Sequence, residues 1–220
     1  LLTPAPVGSY RSIFRWGDPA FFKYPKESLY KMMKEAFHMT DEDFRDYTYD
    51  IGFDQVSLPD HPSRIAPEHL EALKKIVGEE FVTTGDYERL SVAYGCTGYD
   101  LLRLRHKQID SLPDVVVYPD TTEQVEELVH YAAEHKLPLY VYGGGSSVTR
   151  GVEPIKGGIS LDMRKRFNKI LSFNEVDQTI TVQAGLSGPA LEEALQDAPN
   201  RFGAKRQYTC GHFPQSFEYS

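Results

Sequence analysis

Two short apolar segments on either side of an amphipathic helix constrain the fold of this chain more than any other feature. Residues 115–118 are β-branched and aromatic, lie between two prolines, and have the composition of a buried strand. Thr121 and Gln124 have capping-box spacing and mark a helix start. The predicted apolar stripe of that helix consists of Val125, Leu128, Val129, Ala132 and Ala133. Residues 139–142 form the second strand, and a crossover of this length predicts that the two strands run parallel.

A run of three glycines follows the second strand directly. Glycines lack the Cβ atoms that would block positive φ angles and the close approach of a ligand, and successive amides can then form a concave anion site. The predicted phosphate contacts are Val141, Tyr142, Gly143, Gly144, Gly145, Ser146 and Ser147. The loop lacks the lysine that a Walker loop requires. Val148 stands where the GxGxxG fingerprint needs its last glycine. Taken alone, the run fits a flexible turn equally well.

The predicted secondary structure changes near Ser111, from helices alone to strands and helices. Helical spacing predicts helices over 25–37 and 66–77, the second ending at Gly78, and Thr40 has the character of a helix cap. Beyond Ser111 the pattern predicts a strand over 159–163, a hairpin of 169–173 with 179–183, and a short helix after Pro189. We therefore predict a helix-rich region over 1–110 and an α+β domain over 111–220.

The charge balance argues against a nucleic-acid partner. Formal net charge is −8, whereas nucleic-acid binders usually present a basic face. The basic runs 103–107 and 164–166 are interpreted as solvated faces, with an anionic substrate or a phospholipid headgroup as the alternative. The two cysteines have no CxxC spacing and the histidines have no ligand spacing, so no metal is predicted. The two cysteines favour a reducing intracellular setting, and the expected location is cytoplasmic or peroxisomal. No segment is apolar enough to span a bilayer.

Several segments in one order resemble the FAD-binding domain of the vanillyl-alcohol-oxidase-type (PCMH-type) flavoenzymes. They are residues 113–119, the helix start at 121–125, Pro138, the glycine loop and residues 181–185. The resemblance covers roughly residues 112–220. It implies an α+β fold in which a small parallel β-α-β sheet lies beside a larger antiparallel sheet. It also implies that the glycine loop cradles the FAD pyrophosphate.

Two further segments are similar to the alkyldihydroxyacetonephosphate synthases of ether-lipid synthesis. Residues 211–220 resemble the GHxPxSxEFS segment of that family, residues 15–18 resemble its tryptophan-glycine element, and residues 101–117 its lead-in helix. The resemblance implies that the flavin is lined by Pro214, Gln215, Ser216, Phe217, Glu218, Tyr219 and Ser220, although Gln215 departs from a commoner acidic residue. Ser146 stands where some relatives carry a flavin-linking histidine, so we expect FAD to be bound non-covalently.

The resemblance implies an enzyme that exchanges an acyl for an alkyl group on a dihydroxyacetone phosphate ester, without net redox change. It also implies that the catalytic residues lie beyond Ser220, so the chain is expected to be the front part of a longer protein. An FAD-dependent D-2-hydroxy acid dehydrogenase is the alternative enzyme, and a non-catalytic flavin-binding module is the alternative of another class. The expected substrate is small or lipid-like, and both a peripheral membrane contact and a homodimer stay open.

Overall fold

A computed structural model of the chain describes residues 27–43 and 56–210. Its first helix, α1, spans Glu27–Phe37, so the described part of the predicted 25–37 helix is confirmed and Pro25 lies outside the described residues. Thr40 does not act as an acceptor cap. Its amide and its hydroxyl both donate to the Asp43 carboxylate, at 2.6 and 2.9 Å, in a turn over 41–43. A helix following this turn would lie outside the described residues.

Four short elements lead from the second predicted helix to the sheet. Helix α2 spans Pro67–Val77, and the Gly78 amide ends it by donating to the Lys74 carbonyl at 2.9 Å. A 3₁₀ turn over Glu79–Phe81 leads into strand β1, Val82–Thr83. Helices α3, Asp86–Ser91, and α4, Gly98–Arg105, follow. Apolar periodicity does not predict β1 or α3, because each is too short to show a period.

The predicted β–α–β unit is confirmed, with one strand inserted into it. Strand β2 spans Val115–Val117, helix α5 Thr122–Glu134, strand β3 Leu139–Tyr142 and strand β4 Ile159–Asp162. The strand order is β1-β2-β4-β3. β2 and β3 both pair in parallel with β4, whereas β1 joins β2 antiparallel. The carboxyl ends of β3 and β4 therefore meet at one edge, with Tyr142 opposite Asp162.

The start of α5 differs from the predicted capping box in one hydrogen bond. Thr121 Oγ1 accepts from the Gln124 amide at 3.2 Å, as expected. The Gln124 side chain, however, accepts from the amide of Asp120 at 2.8 Å, one residue before the cap. The apolar stripe is also narrower than predicted. Leu128 and Ala132 are buried, but Val129 is 45% exposed and Ala133 is exposed as well.

Residues 170–182 form a separate hairpin, and two short helices follow it. Strands β5, Ile170–Asn174, and β6, Thr179–Val182, pair antiparallel, as predicted. The Asn174 side chain closes the turn by accepting from the amides of Val176 and Asp177 at 3.0 and 3.1 Å. The predicted helix after Pro189 is α6, Gly188–Gln196, and the unpredicted helix α7, Ala198–Phe202, follows it. The mixture of helices with parallel and antiparallel strands confirms the α+β prediction.

The main core lies between the four-stranded sheet and two helices. Leu73 and Val77 of α2 pack with Val115 and Val117 of β2 and with Leu128 of α5. A second cluster joins Leu58, Leu90 and Leu104 to Leu112. The contacts thus run across residues 110 and 111, and the division of the chain at that point stays a prediction. No helix within the described ranges is long and apolar enough to cross a membrane.

Candidate cofactor site

The glycine loop, residues 143–147, continues directly from β3 at the carboxyl edge of the parallel strands. In open sheets of this kind, ligands bind at the carboxyl ends of the strands. Tyr142 is buried, whereas Val141 is 55% exposed, so the strand turns one of its last two side chains inward and the other outward. Gly145 is buried and Ser146 is exposed. The loop is therefore anchored at Gly145 and presents Ser146 to solvent.

Only the last of the three glycines requires the left-handed backbone region. Gly145 has φ +67°, and a Cβ built on it would lie 1.9 Å from the Tyr142 hydroxyl oxygen. A Cβ on Gly143 would make an ordinary contact of 3.7 Å with the Ala184 carbonyl. The requirement for glycine is thus structural at Gly145, where the Tyr142 ring fills the space. At Gly143 the protein itself does not require it.

The loop amides have no hydrogen-bond acceptor among the described residues. Across residues 27–43 and 56–210, no atom accepts a hydrogen bond from the amide of Gly143, Gly144, Gly145 or Ser146. The Ser147 side chain accepts from the Gly151 amide at 3.1 Å, and this bond folds the following turn back onto the loop. Backbone amides without protein partners at a glycine-rich turn are the donor set that phosphate oxygens need. The chemistry of the loop therefore fits a diphosphate.

A buried segment before the sheet braces this loop, and the sequence analysis missed it. The Cys96 amide donates to the Ser147 carbonyl at 2.9 Å, and the Tyr142 hydroxyl donates to the Tyr94 carbonyl at 3.4 Å. Between them, a Cβ on Gly95 would lie 2.0 Å from the Ser147 carbonyl oxygen. The available signal of a close backbone approach was a glycine within the apolar run of residues 92–96.

The end of β4 carries a charged pair that packs on Tyr142. The Asp162 carboxylate accepts from the Arg164 side chain through Nε at 2.8 Å and Nη2 at 2.6 Å. The guanidinium lies 4.6 Å from the centre of the Tyr142 ring. Burial lowers the pKa of Arg164, and the Asp162 carboxylate outweighs that effect, so the pKa is raised. Asp162 and Arg164 thus remain an ion pair that supports the ring beneath Gly145.

Burial also keeps Tyr118 protonated at this edge. The pKa of the Tyr118 phenol is raised, first by burial and then by the nearby Asp162 carboxylate. Lys165 lies over its ring at 4.3 Å, and Arg166 donates to the Tyr118 carbonyl at 3.0 Å. The run 164–166 was interpreted as a solvated face. This is wrong for Arg164 and Arg166, whose side chains are committed to contacts within the protein.

The other basic run, 103–107, contains a fully buried arginine. Arg103 is 0% exposed. Its guanidinium donates to Glu153 at 2.7 Å and to Asp100 and Asp110 at 3.2 Å each. Arg150 also donates to Glu153, at 2.6 Å. The interpretation of Arg103 as part of a solvated face is therefore wrong, because its carboxylate partners make burial of the charge tolerable.

Three hydrogen bonds hold Glu153 in its charged form. Burial raises the pKa of the Glu153 carboxyl, but hydrogen bonds from Arg150, Arg103 and Ser111 outweigh it and lower the pKa to about 2. The Ser111 hydroxyl contributes at 2.9 Å. The carboxylate thus joins α4, Ser111 and the turn that follows the glycine loop.

The remaining predicted flavin contacts, Pro214 to Ser220, lie outside the described residues and stay predictions, as do the loop contacts themselves. In the part of the chain that the structure describes, no group of three or more His, Cys, Asp or Glu side chains could hold a metal ion.

The fold and the loop define a class: an α+β cofactor domain that presents a glycine-rich anion site at the carboxyl edge of parallel strands. Residues 113–218 match the family model described as "FAD binding domain". This part of the chain belongs to that family, and its cofactor is FAD. The sequence prediction of an FAD-binding domain of this type is confirmed.

Known proteins of two kinds are similar to this chain. An alkyldihydroxyacetonephosphate synthase from Dictyostelium discoideum is 28% identical over 92% of this chain and 32% of its own length. A solved structure of an alkyldihydroxyacetonephosphate synthase is 30% identical and superimposes with a TM-score of 0.67, over 76% of this chain and 29% of that one. The mitochondrial D-lactate dehydrogenase [cytochrome] 1 of Saccharomyces cerevisiae is 28% identical over 61% of this chain and 23% of its own length. The chain thus spans about a third or less of these relatives.

Proposed function

We propose that the glycine loop binds the pyrophosphate of FAD and that the protein containing this chain catalyses an acyl-to-alkyl exchange like that of the alkyldihydroxyacetonephosphate synthases. The observation that carries the cofactor part is the set of amides at 143–146, which have no partner among the described residues and follow a parallel strand. The activity part is supported by the synthase relative that matches 92% of the chain.

In this proposal each part of the loop has its own task. The amides of Gly143 to Ser146 bind phosphate oxygens, and Tyr142 holds the turn at Gly145 in shape. Ser146 is exposed and carries a hydroxyl, so it offers no histidine nitrogen for a covalent flavin bond. FAD, when bound, supplies the electrophilic and redox-active isoalloxazine ring that the protein's own groups lack. We expect the flavin to be released when the protein is denatured, and a flavin that stays attached would contradict non-covalent binding.

The D-2-hydroxy acid dehydrogenase is retained as the second candidate because D-lactate dehydrogenases are also among the relatives. These matches cover a smaller share of the chain than the Dictyostelium synthase does. The two functions separate in one assay of the full-length protein. Turnover of an acylated dihydroxyacetone phosphate with a fatty alcohol supports the synthase. Bleaching of the flavin by D-lactate, with no such turnover, supports the dehydrogenase.

The synthase proposal includes a lipid-like substrate and an intracellular location, cytoplasmic or peroxisomal. It is compatible with a homodimer and with a peripheral membrane contact. Size-exclusion chromatography with light scattering tests the dimer, and sedimentation with anionic vesicles tests the membrane contact.

Substitution of Gly143 tests the placement of the pyrophosphate. The protein has room for an alanine side chain there, because the new Cβ would meet only the Ala184 carbonyl at 3.7 Å. Gly143→Ala should therefore leave the melting temperature of the apoprotein nearly unchanged. FAD affinity should fall by roughly tenfold, because the added methyl group obstructs close approach of the phosphates.

Gly98→Ala is the matched control, since a Cβ at Gly98 meets no atom of the described residues within 4 Å. Its FAD affinity should equal that of the wild type. Equal FAD affinities for the wild type and Gly143→Ala, measured by flavin fluorescence titration, would show that the phosphates do not lie against this glycine.

A further inference from the structure

The buried ion cluster around Arg103 lies next to the cofactor loop without being part of it. We infer that Arg103 is a positioning residue for the glycine loop: through Glu153 it fixes the turn at 150–153 and so holds the amides of 143–147 in place for phosphate. This inference rests on the proposed placement of the FAD pyrophosphate.

The contacts on the loop side run through one carboxylate. Glu153 accepts from Arg103 Nη2 at 2.7 Å and from Arg150 Nε at 2.6 Å, on its two different oxygens. Arg150 has a left-handed backbone with φ +64°, which a side chain other than glycine adopts only when its surroundings hold it there. The neighbouring Gly151 amide donates to Ser147 Oγ at 3.1 Å. A chain of direct contacts thus connects Arg103 to the last residue of the loop.

The same N-terminal segment holds the loop at a second point. Arg103 lies on α4, and Cys96, just before α4, donates its amide to the Ser147 carbonyl at 2.9 Å. Tyr94, which packs against the Arg103 guanidinium at 4.2 Å, accepts from the Tyr142 hydroxyl through its carbonyl. All of these anchors precede residue 113, where the match to the FAD-binding family model begins. The cofactor loop is therefore shaped by residues outside the family domain.

The contacts of Arg103 with Glu153, and of Glu153 with Arg150, are called the clamp below, and burial of the charges makes them hard to separate. Arg103, Asp100 and Glu153 are all buried, so each charge depends on its partners instead of water. Asp100 is also part of a capping box with Thr97 at the start of α4, which fixes it independently of Arg103. Removal of the guanidinium would leave the buried Asp100 carboxylate without the arginine that faces it, and Glu153 would keep only Arg150 and Ser111 among its described donors. The turn at 150–153 can relieve this by opening to water, and it would take the loop with it. A loop ordered in advance binds its ligand without the cost of ordering it.

The test compares two buried arginines in the full-length protein. Arg103→Met removes the clamp, and Arg89→Met is the control. Arg89 is also buried and donates to the carbonyls of Pro113 and His61 at 2.8 Å each, and none of these contacts within the described residues is to the loop. The first readout is trypsin cleavage after Arg150 in the absence of FAD, with cleavage after the exposed Lys205 as the internal reference. The second readout is FAD affinity, measured well below the melting temperature of each variant.

We expect Arg103→Met to accelerate cleavage after Arg150 and to weaken FAD binding, each by roughly tenfold. Arg89→Met should lower the melting temperature without either effect. If Arg103→Met does not fold, Arg103→Lys replaces it. Lysine keeps the charge but cannot reach several carboxylates with one ammonium group, so intermediate changes are expected. Wild-type cleavage and wild-type affinity in the Arg103 variant, or equal losses in the Arg89 control, would overturn the inference.

The two proposals fail in different ways. Cleavage after Arg150 is measured without FAD and reports the clamp alone. Faster cleavage with unchanged FAD affinity, together with unchanged affinity in Gly143→Ala, would refute the pyrophosphate placement and with it the cofactor role of Arg103. Weaker binding in Gly143→Ala with unchanged cleavage in Arg103→Met would refute only the clamp.

Discussion

Replacement of Gly145 by alanine measures how strongly the protein itself determines the shape of the cofactor loop. The new methyl group would lie 1.9 Å from the Tyr142 hydroxyl oxygen and 2.2 Å from the ring carbon that bears it. Both distances are far below van der Waals contact. The Tyr142 ring is buried beneath the Arg164 guanidinium, so it has little room to move away.

The expected cost has two parts. A left-handed backbone at φ +67° costs an alanine about 1 kcal/mol relative to glycine. Relief of the overlap by shifts of the ring and the loop adds about 1–3 kcal/mol, the usual range for an overpacked interior. We therefore expect Gly145→Ala to lower the free energy of unfolding of the apoprotein by about 2–4 kcal/mol. FAD affinity should fall as well, because the amides of the loop move with the ring.

The chain offers a control with nearly the same backbone. Gly203 has φ +68°, and a Cβ built on it meets no atom within 4 Å in the part of the chain that the structure describes. Gly203→Ala should therefore cost only the backbone part, about 1 kcal/mol, with FAD affinity unchanged. Urea unfolding of both variants, followed by circular dichroism, isolates the overlap as the difference between them. Equal costs would show that the Tyr142 ring yields freely, and the reasoning about the loop would be wrong.

Two further predictions concern titratable groups. Since the pKa of Glu153 is lowered to about 2 in the folded protein from 4.5, its charge contributes stability above pH 4.5 that is lost as the pH falls towards 2. Glu153→Gln should make urea unfolding less dependent on pH across this window, and an unchanged dependence would contradict the assignment. Burial and the Glu192 carboxylate raise the pKa of Cys210 to about 11. Iodoacetamide should therefore modify Cys210 slowly at pH 8, and Glu192→Gln should accelerate the reaction; equal rates would refute this.

Local signals were sufficient to predict much of the fold. A few residues are enough to recognise the run 115–118, the helix that begins after Thr121 and the glycine run. The structure has β2, α5 and the loop where expected. The hairpin β5–β6 was predictable for the same reason, since its turn is closed by the Asn174 side chain within the turn itself. Elements whose residues stabilise one another locally can be recognised without knowledge of the rest of the chain.

Features that depend on distant residues could not be predicted in this way. Arg103 lies in a basic run typical of a solvated face, and Glu153, one of the carboxylates that make its burial possible, lies fifty residues further on. Likewise, which of three adjacent glycines needs a positive φ angle depends on where the Tyr142 ring lies. Strand β1 has two residues and exists because Val82 and Thr83 meet Val117 and Val116. Pairing of this kind has no period to detect.

The position of β4 between β2 and β3 has a consequence for the order of events during biosynthesis. β2 and β3 share no hydrogen bonds with each other, so the helical crossover between them brings together two strands that still lack a common neighbour. The chain must be synthesised through Asp162 before β4 can pair with both β2 and β3. Until then the triglycine bend has no fixed base, and a nascent polypeptide truncated before Ile159 should be unable to retain the coenzyme.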